Sequence, residues 1–300
     1  MLKEHSYRST VTGSDKTEPL TFVGHQGVTI VGDRRGDPAA PTVLLLHGGG
    51  QTRHSWGGTA AALAQRGWCA ITLDARGHGE SDWHDAGDYS LTAFALDVVE
   101  VARVLPVAPL LVGASLGGCT AMLLEGEIAP GSTRAIVLVD VVPLLNEEGT
   151  DRIQQFMHER LHEGFATLEE ARDAIAAYNP FRPPPSDLEG LKKNLRLGED
   201  ERWRWHWDPR FTSSGPGGSG PSEITDQDRM RVACRQLRVP VMLVRGRMSD
   251  VVTVEGVESF RSDVPSAEFV DVSSAGHMVA GDRNDAFTDA VVDFLQRHRG

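Results

Sequence analysis

The sequence predicts an α/β fold, a mostly parallel sheet flanked by helices and interrupted once by a helical insertion. Short, unalternating apolar runs recur along the chain, as strands buried on both faces read. Between them lie stretches with apolar residues at helical spacing. That rhythm stops from about 145 to 232 and then resumes.

Residues 1–18 are polar and read as a frayed tail. "LTFVGHQGVTIVGDRRGD" reads as two short strands around His25-Gln26-Gly27, a hairpin. After Pro41, "TVLLLHGGG" is a buried strand running into glycines. A helix is expected near Trp56 to Gln65, and "CAITLD" (69–74) is the next strand. In 90–105, Ser90 caps a helix with Leu91, Phe94, Val98, Val101 and Leu105 at helical spacing. "APLLVGAS" followed by "LGGCTAMLLEGE" repeats strand then helix, and "RAIVLVDVV" (134–142) is another strand.

Within the insertion, Ile153, Phe156, Met157 and Leu161 share a helical face, and Thr167 with Glu170 forms a capping box. A further helix is expected near Ser186, then "RWRWHW" and a mobile Gly/Ser/Pro-rich loop over 212–222. Strands at 239–246 and 267–273 and a last amphipathic helix, "DAFTDAVVDFLQ", restore the alternation. The expected organisation is a tail (1–18), a core domain (19–144 with 233–300) and a helical cap (145–232).

Composition narrows the function. A chain of 300 residues holds one large domain with an insertion. The balance of 40% hydrophobic and 24% charged residues is that of a soluble globular protein. A net charge of −12 argues against a nucleic-acid backbone or an anionic membrane as partner. No apolar run approaches the roughly 18 residues of a membrane span, and the N-terminus lacks the apolar core of a signal peptide. Cys69, Cys119 and Cys234 are odd in number and lack metal-ligand spacing, so they make no disulfide framework. Cys69 and Cys119, within apolar runs, read as buried thiols. A cytoplasmic protein acting on a small molecule is expected, with no cofactor and no metal. A homodimer is allowed by the sequence and not required by it.

The chemistry centres on "VGASLGG" (112–118). Ser115 lies where a strand meets a helix, with Gly113 and Gly117 relieving the crowding of a tight turn. The helix that follows aims its first amides at the same point, which favours developing negative charge. A serine hydroxyl needs a base, and His277, in a small flexible loop after the last strand, can supply it. The imidazole in turn needs a carboxylate to hold its tautomer. Asp250 is preferred for its place after the 239–246 strand, 27 residues before His277. A simpler role for Asp250 is to cap the helix expected at 251–261. Asp140, at the end of "IVLVD", is the rival acid. An oxyanion needs two N–H donors: Leu116 at the helix start, and Gly49 or Gly50 in "HGGGQ". His47 is expected to orient that loop by hydrogen bonds.

These pieces together resemble the α/β-hydrolase superfamily, over roughly residues 20–297. "LLLHGGG", "LDARGHGESD", "LVGASLGG", "LVRGRMSDVV" and "AGHMV" stand in order, with Ser, Asp and His following the chain order of that family. The resemblance, to its serine-nucleophile branch with esterases, haloperoxidases and epoxide hydrolases, implies a helical cap after the sixth strand. It also implies that Asp74, Arg76 and His78 are structural. Epoxide hydrolases and haloalkane dehalogenases carry aspartate at the elbow, so Ser115 points away from those chemistries and toward an acyl-enzyme. The expected activity is hydrolysis of an ester-type bond in a small, largely apolar substrate. A lactonase, C–C bond hydrolase or cofactor-free perhydrolase would use the same triad, and a ligand-binding protein would use only the fold. A nicotinamide site is not expected, because "HGGGQ" lacks G-x-G-x-x-G spacing. Candidate pocket residues are Trp83, His84, Trp205 and Met278, with Trp203, Trp207, Phe156 and Met157 offering further apolar surface.

Overall fold

A computed structural model describes residues 16–178, 188–212, 214–215, 218–219, 226–273, 276 and 285–299. The first strands, β1 (Glu18–Val23) and β2 (Thr29–Arg35), pair antiparallel around a short turn at His25–Gly27, the hairpin read from the sequence. Four strands follow in the core: β3 (Thr42–Leu46), β4 (Cys69–Leu73), β5 (Leu110–Ala114) and β6 (Ile136–Val139). Between and after them come α1 (Gly57–Gln65), α2 (Leu91–Arg103) and α3 (Leu116–Leu123). After β6 the alternation breaks, as expected, into α4 (Glu147–His158), α5 (Leu168–Tyr178), and a hairpin of β7 (Leu195–Leu197) and β8 (Trp203–Trp205). Two-residue strands β9 (Ser214–Gly215) and β10 (Gly218–Ser219) precede α6 (Gln227–Gln236). The core then closes with β11 (Val241–Gly246), α7 (Val254–Asp263), β12 (Glu268–Val272) and α8 (Asp285–Arg297).

Among the described residues the main sheet has eight strands in the order β1-β2-β4-β3-β5-β6-β11-β12. It is parallel from β4 to β12, with the first hairpin antiparallel on one edge. Strand geometry explains why the runs do not alternate. Successive side chains in β3 point to opposite faces, and both faces are covered. Leu44 and Leu46 join the core under α2 and α3. Val43 and Leu45 join a second core with Trp56, Trp68, Phe287 and Phe294.

The helices follow their signals. Ser90 accepts the Ala93 N–H at the start of α2, and Thr167 accepts the Glu170 N–H at the start of α5. The helix after β11 begins at Val254 and is capped by Thr253, whose hydroxyl accepts the Gly256 N–H. Asp250 therefore does not cap it. One other expectation is corrected: near Ser186 the described part is a short 3-10 turn at Glu189–Lys193. "RWRWHW", to which the sequence assigns no element, supplies strand β8. The expected boundary at 233 falls inside helix α6. Helix α6 packs so closely that a Cβ at Gly126 would lie 2.1 Å from the Ala233 carbonyl oxygen. All three cysteines are free and buried. No helix among the described residues is long and apolar enough to cross a membrane.

The tightest contact joins β3, β5 and α3. A Cβ at Gly113 would sit 2.3 Å from the Gly117 carbonyl oxygen, and one at Gly117 would sit 2.3 Å from that of Leu46. Both collisions are with backbone, which cannot swing aside. Gly117→Ala is expected to lower unfolding stability by about 2–3 kcal/mol, read as a shift of the urea midpoint. An unchanged midpoint would contradict this packing.

Candidate active site

Open α/β sheets bind ligands beyond the carboxyl ends of their strands, where the strand order reverses. Here β3 is flanked by β4 on one side and β5 on the other. The loops leaving β3 and β5 carry the glycine run and Ser115.

Ser115 has φ 46° and ψ −114°, outside the regions an L-residue ordinarily occupies. Such strain persists only where the surroundings over-determine it, and they do. Its N–H donates to the Val139 carbonyl at 3.1 Å, and its own carbonyl accepts N–H groups from Gly118 and Cys119, both at 2.9 Å. The side chain is left half-exposed, and its hydroxyl has no partner among the described residues. The Leu116 N–H at the start of α3 is equally unengaged.

The glycine run lies against this serine. A Cβ at Gly48 would be 3.4 Å from that of Ser115. His47 is buried and donates from Nδ1 to the Gly48 carbonyl at 2.7 Å, because its Nε2 accepts the Ala75 N–H at 3.0 Å. It orients the loop, as expected. Of the two glycines expected to donate to an oxyanion, Gly50 has its N–H committed to His78 Nε2 at 3.1 Å. The Gly49 N–H, like that of Leu116, has no partner among the described residues.

The "DARGHG" residues are structural, as the resemblance implied. Asp74 accepts the Arg53 N–H at 2.6 Å, pairs with the Arg53 guanidinium, and accepts the Glu80 N–H. Arg76, wholly buried, pairs with Asp97 of α2 at 2.6 and 2.7 Å.

The two candidate acids differ sharply in setting. Asp140 is fully buried at the end of β6, with φ 49°. Its Oδ1 accepts the Gly246 N–H at 3.0 Å and its Oδ2 the Ser249 hydroxyl at 2.6 Å. Ser249 is itself held by N–H groups of Val251 and Val252. Asp140 follows Val139, whose carbonyl accepts the Ser115 N–H, so it adjoins the strand that ends at Ser115. Asp250 instead faces Arg152 of α4 at 2.7 Å, with its side chain 34% exposed. Gly276 approaches this β11–α7 loop, since a Cβ there would lie 3.9 Å from the Met248 carbonyl oxygen. His277 and Met278 lie outside the described residues.

The inserted segment leans on the glycine loop. A Cβ at Gly49 would be 3.3 Å from the Phe211 ring, and one at Gly50 would be 3.1 Å from the Met157 methyl and 3.6 Å from Trp207 Nε1. Met157 and Trp207 were candidates for this wall. Phe211 was not, because nothing in "DPRFTS" marks its ring as inward. Two other expected pocket residues, Trp83 and His84, lie at the seam between insertion and core. Trp83 lies under the Arg196 guanidinium at 4.2 Å. His84 accepts the Asp88 N–H and gives its carbonyl to Arg210. Trp205 packs inside the insertion, edge-on to Phe156 and Phe165. Among the described residues no cluster of three or more His, Cys, Asp or Glu could hold a metal ion.

The fold has counterparts among known proteins. A family model for the alpha/beta hydrolase fold matches residues 41–283. The chain belongs to the α/β-hydrolase family. It is 30% identical over 299 residues to Esterase Rv0045c of Mycobacterium tuberculosis, covering 97% of this chain and 93% of that protein. A solved structure of that esterase superposes with TM-score 0.72 at 27% identity, covering 94% of this chain and 92% of the other. Protein phosphatase methylesterase 1 of Bos taurus is 35% identical over 136 residues, 44% of this chain and 36% of that protein. The structure of E-2-(acetamidomethylene)succinate hydrolase shares the fold, with TM-score 0.78 at 20% identity over 94% of this chain and 100% of that one.

The two buried histidines set a pH signature. Burial pushes His47 below its ordinary value, while burial and the neighbouring His47 push His78 down from 6.5 to about 3. Both are neutral in the folded chain and protonate near 6.5 when unfolded, so the unfolded state binds more protons below that pH. Their stability contribution is complete above pH 6.5 and declines as pH falls toward 3. Each such group steepens the decline by up to about 1.4 kcal/mol per pH unit. Urea unfolding between pH 7 and 4.5 should show a shallower slope in His78→Gln than in wild type. Equal slopes would contradict the buried neutral ring.

Proposed function

We propose that the protein is a serine ester hydrolase working through an acyl-enzyme. The observation that carries the reading is the strained Ser115 turn, where the Leu116 and Gly49 N–H groups and the Ser115 hydroxyl have no partner among the described residues. Kinship with an esterase over nearly the full length supports it. His277 takes the Ser115 proton, Ser115 Oγ attacks the ester carbonyl, and the two amides stabilise the oxyanion. Protonated His277 then gives its proton to the leaving alcohol. Water, deprotonated by the same imidazole, cleaves the acyl-enzyme.

For the acid we move from the sequence preference, Asp250, to Asp140. A triad carboxylate stabilises an imidazolium best when it is buried and rigidly held. Asp140 meets both conditions, and a carboxylate's two oxygens can accept several hydrogen bonds at once. Asp250 is turned to Arg152 and would have to give up that pair. The Phe211, Met157 and Trp207 surface on the glycine loop suits a small, largely apolar ester, with the insertion acting as a cap. Three buried free thiols suit a reducing cytoplasm.

Ser115→Ala should lower kcat on p-nitrophenyl acetate by about three orders of magnitude or more and abolish labelling by a fluorophosphonate, read as intact mass. A fully active, still-labelled variant would end the assignment. Between the acids, Asp140→Asn should lose on the order of 10²–10⁴-fold in kcat while Asp250→Asn stays within about tenfold of wild type. The reverse order would restore Asp250.

A further inference from the structure

The glycine run presents three successive N–H groups, and only one can serve an oxyanion if the other two are committed. Gly48 N–H donates to the Gln51 side-chain oxygen at 3.2 Å, while Gln51 N–H returns to the Gly48 carbonyl at 3.1 Å, closing the turn. Gly50, at φ +74°, turns its N–H the other way, into the ring of His78 at 3.1 Å. What holds Gly50 therefore decides where Gly49 points.

We propose that His78 is a positioning residue of the oxyanion hole, a joint through which the docked insertion fixes the Gly49 donor. The proposal rests on the hydrolase reading above. The ring is clamped at both nitrogens: Nδ1–H donates to the Arg76 carbonyl at 3.0 Å, so Nε2 is bare and accepts from Gly50. An imidazolium could not accept that bond, and burial keeps the ring neutral. Its faces and edges are held as well. Phe211 of the insertion packs edge-on at 4.7 Å between centroids, and His47 lies at 5.2 Å.

The backbone repeats the link. His78 forms an antiparallel bridge with Trp207, flanked by Gly79 N–H to the His206 carbonyl and Asp208 N–H to the Gly77 carbonyl, both at 2.7 Å. Trp207 and Met157 of the same insertion close on Gly50. One imidazole thus touches the glycine loop, the "DARGHG" loop and the insertion. A shift of the insertion is transmitted to Gly49 as a change in one hydrogen bond. The residue touches no substrate, and its effect falls on the transition state, where the Gly49 N–H is used.

Two replacements separate this role from simple packing. Gln at 78 keeps an acceptor near the Nε2 position, whereas Leu fills space without one. His78→Leu should lower kcat about 30-fold or more with KM within about threefold, and weaken a trifluoromethyl ketone, which forms a tetrahedral adduct on serine, by a similar factor. His78→Gln should stay within about fivefold of wild type on both. Equal losses in the two variants, or no loss in Leu, would overturn the proposal. If the Leu variant does not fold, nitrogen-15 NMR of wild type at pH 7 decides: Nε2 must be unprotonated and the Gly50 amide protected from exchange, and a protonated Nε2 or a freely exchanging Gly50 refutes it. That measurement needs no turnover. An enzyme with no hydrolysis and no fluorophosphonate adduct would sink the hydrolase reading, while the NMR result would still judge the joint.

Discussion

The close approach of three backbones at the end of β5 is the constraint on which the rest depends. Strand β3, strand β5 and helix α3 meet with no room for a side chain at Gly113 or Gly117. That contact forces the chain to reverse through Ser115 in a conformation it would not otherwise adopt. The reversal does two things at once. It lifts the hydroxyl out of the sheet and starts a helix whose first free amide lies one residue away. The same proximity brings the loop after β3 alongside the serine, because β3 is the neighbour of β5 in the sheet. The proposed nucleophile and the proposed oxyanion donors are therefore consequences of one packing event.

Around that event the protein spends its buried charge on loop geometry. Arg76 and Asp97 tie the "DARGHG" loop to α2, and Asp74 with Arg53 ties it to the segment following the glycine run. Such pairs add little net stability when buried, but removing one partner would strand the other charge. Their value here is positional: they make loops behave as rigidly as strands, and active-site groups need supports of that kind.

Much of this was legible in the sequence because it follows from period and steric demand. Apolar runs without alternation marked strands covered on both faces, and Val43 and Leu45 do face one core while Leu44 and Leu46 face the other. Glycines two residues either side of Ser115 marked a turn with no room for side chains. What escaped notice depends on long-range geometry. Asp140 and Asp250 both follow strands and differ in sequence only by context, but Asp140 is turned inward by a positive φ and Asp250 outward to Arg152. No local pattern encodes that choice. Strand β8 was missed because three residues of alternating Trp and Arg are too short for a period. The division of labour within the glycine run was also invisible, since identical residues differ only in which partner each N–H meets.

The same reasoning shows how one scaffold can vary its substrate without losing its chemistry. The serine turn is fixed by backbone contacts inside the core, and no described residue of the insertion takes part in them. The second proposed oxyanion donor is different, because the loop that carries it lies under Phe211, Met157 and Trp207. A core held by backbone sterics tolerates replacement of the insertion; a loop held partly by the insertion does not remain neutral to it. Substrate contacts and transition-state contacts thus share a boundary at Gly49 and Gly50. Changes to the insertion that only repaint the pocket should alter which esters bind, whereas changes that unseat its contact with the glycine loop act on the reaction itself. On the proposed reading the insertion is in this sense part of the catalytic architecture, although the proposed nucleophile and oxyanion donors belong to the core.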